Sequence, residues 1–177
     1  MTTPAATVVN LYLADEDATN SLATRLAPLL MGAGSGPTAT GMGGRIHLRG
    51  DLGAGKTSFA RALLRACGVQ GRIKSPSYAL MESYNVSSLQ FYHLDFYRFN
   101  NPKEWADAGF RDILQENAVV LIEWPEQAGA LLPPPDLDIH LEYADTGRYA
   151  SLTAHSNKGK LWLTTLALPP QGSLPTA

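Results

Sequence analysis

The stretch RGDLGAGKTSFA (Arg49–Ala60) gathers three glycines, a lysine and a threonine, and Gly50-Asp51-Leu52-Gly53-Ala54-Gly55-Lys56-Thr57 within it is a complete G-x-x-x-x-G-K-[ST] phosphate loop. Each residue type has a chemical task there. The glycines adopt backbone angles that turn successive N–H groups inward, onto phosphate oxygens. Lys56 supplies a point charge for the β and γ phosphates, and the Thr57 hydroxyl is a hard oxygen ligand for magnesium. A helix opening directly after the loop aims its free N–H groups and its dipole at the same anion. A nucleoside triphosphate with magnesium is therefore expected on Leu52, Gly53, Ala54, Gly55, Lys56, Thr57 and Ser58.

Such a loop needs a carboxylate at the end of a neighbouring buried strand to hold the metal or its waters. Glu123 closes AVVLIE (Ala118–Glu123), the most continuous apolar run in the chain, and is expected to be that metal ligand. Asp95 lies in FYHLDFYR, where His93, Asp95 and Tyr97 share one strand face and Leu94 and Phe96 the other. Spacing leaves two readings of Asp95 open: a group that orients water or senses the γ phosphate, or a half-exposed polar residue paired with Arg98. His93 reads as a structural hydrogen-bonding residue outside the chemistry.

KSPSY (Lys74–Tyr78) places Ser75 and Ser77 around Pro76, in the position where phosphate-loop proteins carry a segment that orders on the γ phosphate; an ordinary Ser-Pro turn accounts for the same residues. Arg148, beside a turn, is either a solvated arginine or a nucleotide contact. Trp124 either packs in the core or covers the site.

Periodicity supplies the elements that must position these groups. TVVNLYLA (Thr7–Ala14) alternates as a strand, and Asp15 caps a helix with Ala18, Leu22, Leu26 and Leu29 on one face. Residues 31–44 read as a flexible Gly-rich loop. A short strand, Arg45–Arg49, leads into the phosphate loop, and a helix over Thr57–Cys67 is closed by Gly68. A strand near Tyr78–Tyr84, a turn at Asn85–Ser88 and a strand over Leu89–Tyr97 form a hairpin. Asn101 and Pro102 signal a helix start, Ala118–Glu123 is a strand buried on both faces, and LDIHLEY and RYASLTAH are strands around the turn ADTG.

The chain has 177 residues, 45% hydrophobic and 17% charged, with a net charge of −2, as expected of one globular domain. A domain that gripped nucleic acid by itself would carry a basic surplus, so any nucleic-acid role is expected to run through a partner. One cysteine, Cys67, excludes an intrachain disulfide. MTTPAATVVN lacks the basic start and apolar run of a secretion signal, and the longest uncharged run, Leu26–Gly44, is half Gly, Pro, Ser and Thr. A soluble, cytoplasmic protein with no membrane segment is expected.

Taken together, GDLGAGKTSFARALL, KSPSYAL, YHLDFYR and LIEWPE, in that order, resemble the bacterial TsaE (YjeE) family, and DAGFRDIL and DTGR add to the likeness, which runs from about Leu11 to Leu163. The resemblance implies a single α/β P-loop NTPase domain, expected over residues 1–168, with a central mixed sheet whose core strands are parallel and flanked by helices; the last nine residues, PPQGSLPTA (169–177), read by composition as a disordered tail. It implies ATP and Mg2+ as ligands and slow ATP hydrolysis that supports the TsaB and TsaD proteins as they form threonylcarbamoyladenosine beside the anticodon, tRNA being held indirectly through that complex. By the same resemblance, Lys56 contacts phosphate, Thr57 and Glu123 hold magnesium, Asp95 is the functional aspartate, and Ser75 and Ser77 form a switch-like loop spelled SPS where the family has SPT. The Gly-rich stretch 32–44 is longer than the family's usual connection, and ADEDAT (Ala14–Thr19) matches its adenine-side positions only loosely.

Two other functions share the loop. A small-molecule kinase should carry an arginine-rich lid late in the chain, yet Arg148 is the one arginine after Glu123. A nucleotide-sensing module would use Asp95 and Glu123 structurally, without turnover.

Overall fold

The computed structural model describes residues 7–33, 41–115 and 117–167. The Gly-rich segment at 34–40 and the tail expected at 169–177 lie outside them.

β1 (Val8–Leu13) leads to α1 (Glu16–Leu30), whose first turn is fixed by the Asp15 carboxylate accepting the Ala18 N–H at 2.8 Å. β2 (Gly44–Arg49) runs into the phosphate loop and α2 (Lys56–Ala66). Gly68, at φ 105°, ends α2 by passing its N–H to the Arg65 carbonyl. β3 (Met81–Val86) and β4 (Leu89–Asp95) form the expected hairpin, followed by the one-turn α3 (Glu104–Asp107). β5 (Ala118–Glu123), β6 (Leu137–Tyr143) and β7 (Arg148–Ala154) complete the sheet, and α4 (Asn157–Ala167) packs back against it.

The seven strands lie in the order β1-β7-β6-β2-β5-β4-β3. β6, β2, β5 and β4 are mutually parallel, while β7, β1 and β3 run antiparallel to their neighbours. The expected mixed sheet with a parallel core is therefore the one found. All six residues of β5 are buried, as a strand covered on both faces requires. One face carries Val119 and Leu121 into the core shared with α1, α2 and α4. The other carries Val120 and Ile122 into a smaller core with Phe96, Trp105 and Ala128. No helix among the described residues is long and apolar enough to cross a membrane.

Four local expectations are corrected. The third strand begins at Met81, because the chain turns before it: Leu80 sits at φ 65° and donates its N–H to the Pro76 carbonyl. The hairpin turn is only Ser87–Ser88. β4 ends at Asp95, not Tyr97, because the Asp95 carboxylate accepts the Tyr97 N–H and bends the chain there. Asn101 does cap, but it holds a turn, accepting the Lys103 N–H at 3.0 Å, and the helix after it is a single turn from Glu104. Three elements go beyond those the periodicity predicts: α4 and 3-10 turns over Ile113–Gln115 and Pro125–Leu131.

Candidate functional site

The phosphate loop leaves the C-terminal end of β2, and β5 lies beside it with Leu48 opposite Glu123. One strand further, β4 sets Asp95 opposite Glu123. Three parallel strand ends thus converge on the N-terminus of α2. Glycine is obligatory at two points of the loop. Gly50 has φ 137° and a Cβ there would strike the Leu141 carbonyl; Gly55 has φ 105° and a Cβ there would strike the Arg148 guanidinium. Gly55 also serves as the N-cap of α2 with no side chain to bond the helix's first N–H groups.

Lys56 is 4% exposed. Its Nζ donates to the Gly50 carbonyl at 2.6 Å and the Asp51 carbonyl at 2.8 Å, and lies 4.2 Å from the centre of the Trp124 ring. Burial pulls its pKa below the ordinary lysine value, against the opposing pull of the Glu123, Glu126, Asp95 and Asp51 carboxylates. Thr57 Oγ1 donates to Glu123 Oε2 at 2.9 Å, and His93 Nε2 lies 2.7 Å from Glu123 Oε1. Asp95 is buried, and its Oδ1 accepts the Tyr97 N–H at 2.9 Å. Burial pushes the Asp95 carboxyl above the usual carboxylate range; the Tyr97 N–H works against this and the Glu123 charge adds to it.

These groups open on one cleft of about 240 Å3. Leu52, Gly53, Gly55, Lys56, Thr57, Ser58, Ser77, Asp95, Glu123 and Arg148 line it, so residues from five separate sequence segments are brought together. Ala54 instead points into the core, fully buried. Ser75 does not reach the cleft wall but shares a hydrogen bond of 2.7 Å with Ser77. Arg98 is not Asp95's partner: its guanidinium stacks 4.3 Å from the Tyr78 ring, and the Asp95 carboxylate turns onto backbone instead.

Trp124 does both: it packs against the smaller core and covers the site. It holds a left-handed backbone at φ 56°, packs against Tyr97 at 4.9 Å and roofs Lys56. Tyr143 was not anticipated. Its hydroxyl donates to the Leu52 carbonyl at 3.1 Å, and with Leu13, Asp15 and Arg148 it lines an adjoining cleft of about 320 Å3. Nothing in the sequence around Tyr143 marks it, because the contact depends on the β6–β7 hairpin folding back over the loop.

The donor set suits magnesium. A hydroxyl and a carboxylate, both hard oxygens, meet at 2.9 Å at the mouth of the phosphate loop. Among the described residues no group of three or more His, Cys, Asp or Glu could hold a metal by itself.

Fold and cleft together define a phosphate-loop α/β protein. The family model described as "Threonylcarbamoyl adenosine biosynthesis protein TsaE" matches residues 13–150. The chain belongs to the TsaE family. It is 42% identical over 115 residues to a Haemophilus influenzae protein named tRNA threonylcarbamoyladenosine biosynthesis protein TsaE, spanning 65% of this chain and 73% of that one. A Bacillus subtilis protein of the same name is 33% identical over 114 residues, 64% of this chain and 71% of the relative. The crystal structure of YdiB from Bacillus subtilis superposes with a TM-score of 0.72 at 25% identity, covering 93% of this chain and 97% of YdiB.

Proposed function

We propose that this protein is a magnesium-dependent ATPase that binds ATP, hydrolyses it slowly and so supports a cytoplasmic TsaB–TsaD complex forming threonylcarbamoyladenosine in tRNA. The observation that carries this reading is the Thr57–Glu123 contact of 2.9 Å at the phosphate loop, with Asp95 on the next strand in register with Glu123. The loop N–H groups, Lys56 and Arg148 hold the phosphates. Thr57 and Glu123 would hold magnesium, which neutralises phosphate charge when bound. Lys56 exchanges the Gly50 and Asp51 carbonyls for phosphate oxygens, beneath Trp124. Asp95, one oxygen fixed by the Tyr97 N–H, uses the other to orient the attacking water. Ser77, supported by Ser75, closes on the γ phosphate, and a partner that orders this segment raises the rate. The base and ribose extend past Arg148 toward Leu13, Asp15 and Tyr143.

A kinase is disfavoured because the chain after Glu123 forms two sheet strands and α4, whose buried Trp162 and Leu163 belong to the core and not to a lid. The test is free phosphate. Slow release by the protein alone, accelerated on adding TsaB and TsaD, is expected. Phosphoryl transfer to a metabolite without free phosphate would overturn the proposal, and ATP binding with no turnover under either condition would leave only the sensing module.

A further inference from the structure

We infer that His93 is a positioning residue for the metal-binding carboxylate: it fixes one oxygen of Glu123 so that the other faces Thr57 and the cation. The inference rests on the proposed role of Glu123 as a magnesium ligand and adds a residue to it.

The geometry divides the Glu123 carboxylate between two partners. Oε2 receives the Thr57 hydroxyl at 2.9 Å, and Oε1 lies 2.7 Å from His93 Nε2. The side chains of His93 and Glu123 are 1% and 3% exposed, so water does not compete for either contact. The terminal torsion of a glutamate is broad and two-fold, so a carboxylate held at one oxygen by a rotatable hydroxyl is free to turn. A second hydrogen bond, from a ring fixed in a strand, removes that freedom. Hydrogen bonds of this kind to a ligating carboxylate set how well it binds its ion.

The ring's other nitrogen sharpens the assignment. His93 Nδ1 is buried and has no hydrogen-bond partner among the described residues. Among the described residues the ring meets one acceptor, Glu123, so a neutral ring carries its proton on Nε2 and donates it to the carboxylate. His93 shares its strand face with Phe91 and stands in register with Leu121, both core residues, so an imidazole kept for packing alone would be better served there by an apolar side chain. Strand register completes the account. His93 and Asp95 alternate onto one face of β4, opposite Leu121 and Glu123 of β5. The spacing H-x-D therefore delivers two separate services, the histidine to the cation's carboxylate and the aspartate to the cleft.

The test is the affinity of the full-length protein for a non-hydrolysable ATP analogue, measured across a Mg2+ series and in EDTA, with thermal melting alongside. His93→Leu should raise the Mg2+ needed for half-maximal tightening by about 10- to 100-fold while leaving affinity in EDTA unchanged. His93→Gln, whose amide reaches the position of Nε2, should restore most of the response, and His93→Asn, which reaches only the position of Nδ1, should not. A wild-type Mg2+ response in His93→Leu, or an equal loss in EDTA, overturns the inference. If His93→Leu does not fold, equal responses of the Gln and Asn variants overturn it instead. Glu123→Ala separates the two levels. A wild-type response there removes Glu123 from the metal, whereas a lost response beside an intact His93→Leu removes only His93.

Discussion

Along β1, β7 and β6 the buried side chains are apolar without exception: Leu13, Leu137, Ile139, Leu141, Ala150, Leu152 and Ala154. β2, β5, β4 and the first turn of α2 bury His47, Lys56, His93, Asp95 and Glu123 in addition to their aliphatic residues. This mainly antiparallel part of the sheet, whose β6 is parallel only to β2, gains free energy from each side chain it buries, by about 25 cal/mol per Å2 of apolar surface. The parallel part withdraws ionisable groups from water, which opposes folding unless each finds a partner. Lys56 is pulled toward neutrality, Asp95 toward protonation, and the Nδ1 atoms of His47 and His93 go unpaired among the described residues. The difference teaches that apolar burial concentrates on one side of the sheet and ionisable burial on the other, while the tips of β6 and β7 lend Tyr143 to the phosphate loop and Arg148 to its cleft. On the proposed reading Lys56, His93, Asp95 and Glu123 are kept buried at this end of the sheet for a ligand, whereas His47, on the other face of β2, lies outside that cleft.

That division can be broken by substitution. The largest effect on folding is expected in the antiparallel part. Leu152→Ala, fully buried on β7, should lose about 2–5 kcal/mol in urea unfolding while the folded fraction keeps its Mg2+ dependence. In the parallel part the pattern should reverse. Lys56→Ala should weaken ATP binding roughly 10- to 150-fold, the scale of a lost hydrogen bond from a charged donor, without lowering the melting temperature, since its ammonium is held in the folded state against burial. A large drop in stability in Lys56→Ala, or in Mg2+ response in Leu152→Ala, would erase the contrast.

A further contrast lies in pH. His47 is buried on the far face of β2, and burial, then the Arg49 and Arg45 charges and His155, pull its pKa from 6.5 to about 3. The folded state holds this ring neutral, so its contribution is complete above pH 6.5 and is lost as pH falls toward 3, by at most about 1.4 kcal/mol per pH unit. Urea unfolding at several pH values should show His47→Leu with a shallower acid loss than wild type. An identical slope would mean that His47 is not the group that titrates.

Legibility in the sequence followed locality. The phosphate loop is contiguous, and its glycines, Lys56 and Thr57 carry their chemistry in their order. Glu123 was legible because a strand buried on both faces leaves an unbroken apolar run before it. Asp95 stayed open because its significance lies in the strand beside it, and pairing of β4 with β5 is not written locally. Arg148 and Tyr143 reach the loop only through the β6–β7 hairpin. α4 escaped notice because Gly159 and paired threonines oppose helix propensity. The structure gives the reason for the glycine: a Cβ there would strike the Asp136 carbonyl, and the Ser156 hydroxyl accepts the Gly159 N–H at 3.0 Å to start the helix. Composition starts the third strand near Tyr78, three residues before Met81, because a left-handed Leu80 is not a signal that composition carries.

The central claim is that the buried carboxylates at the parallel strand ends are kept for turnover, and Asp95→Ala tests it most directly when phosphate release and ATP affinity are measured on the same protein. ATP affinity near the wild-type value with phosphate release reduced by about 100-fold, the scale of a lost general acid–base or water-orienting group, is the expected result. Unchanged affinity with an unchanged rate would contradict the account and return Asp95 to a purely structural role.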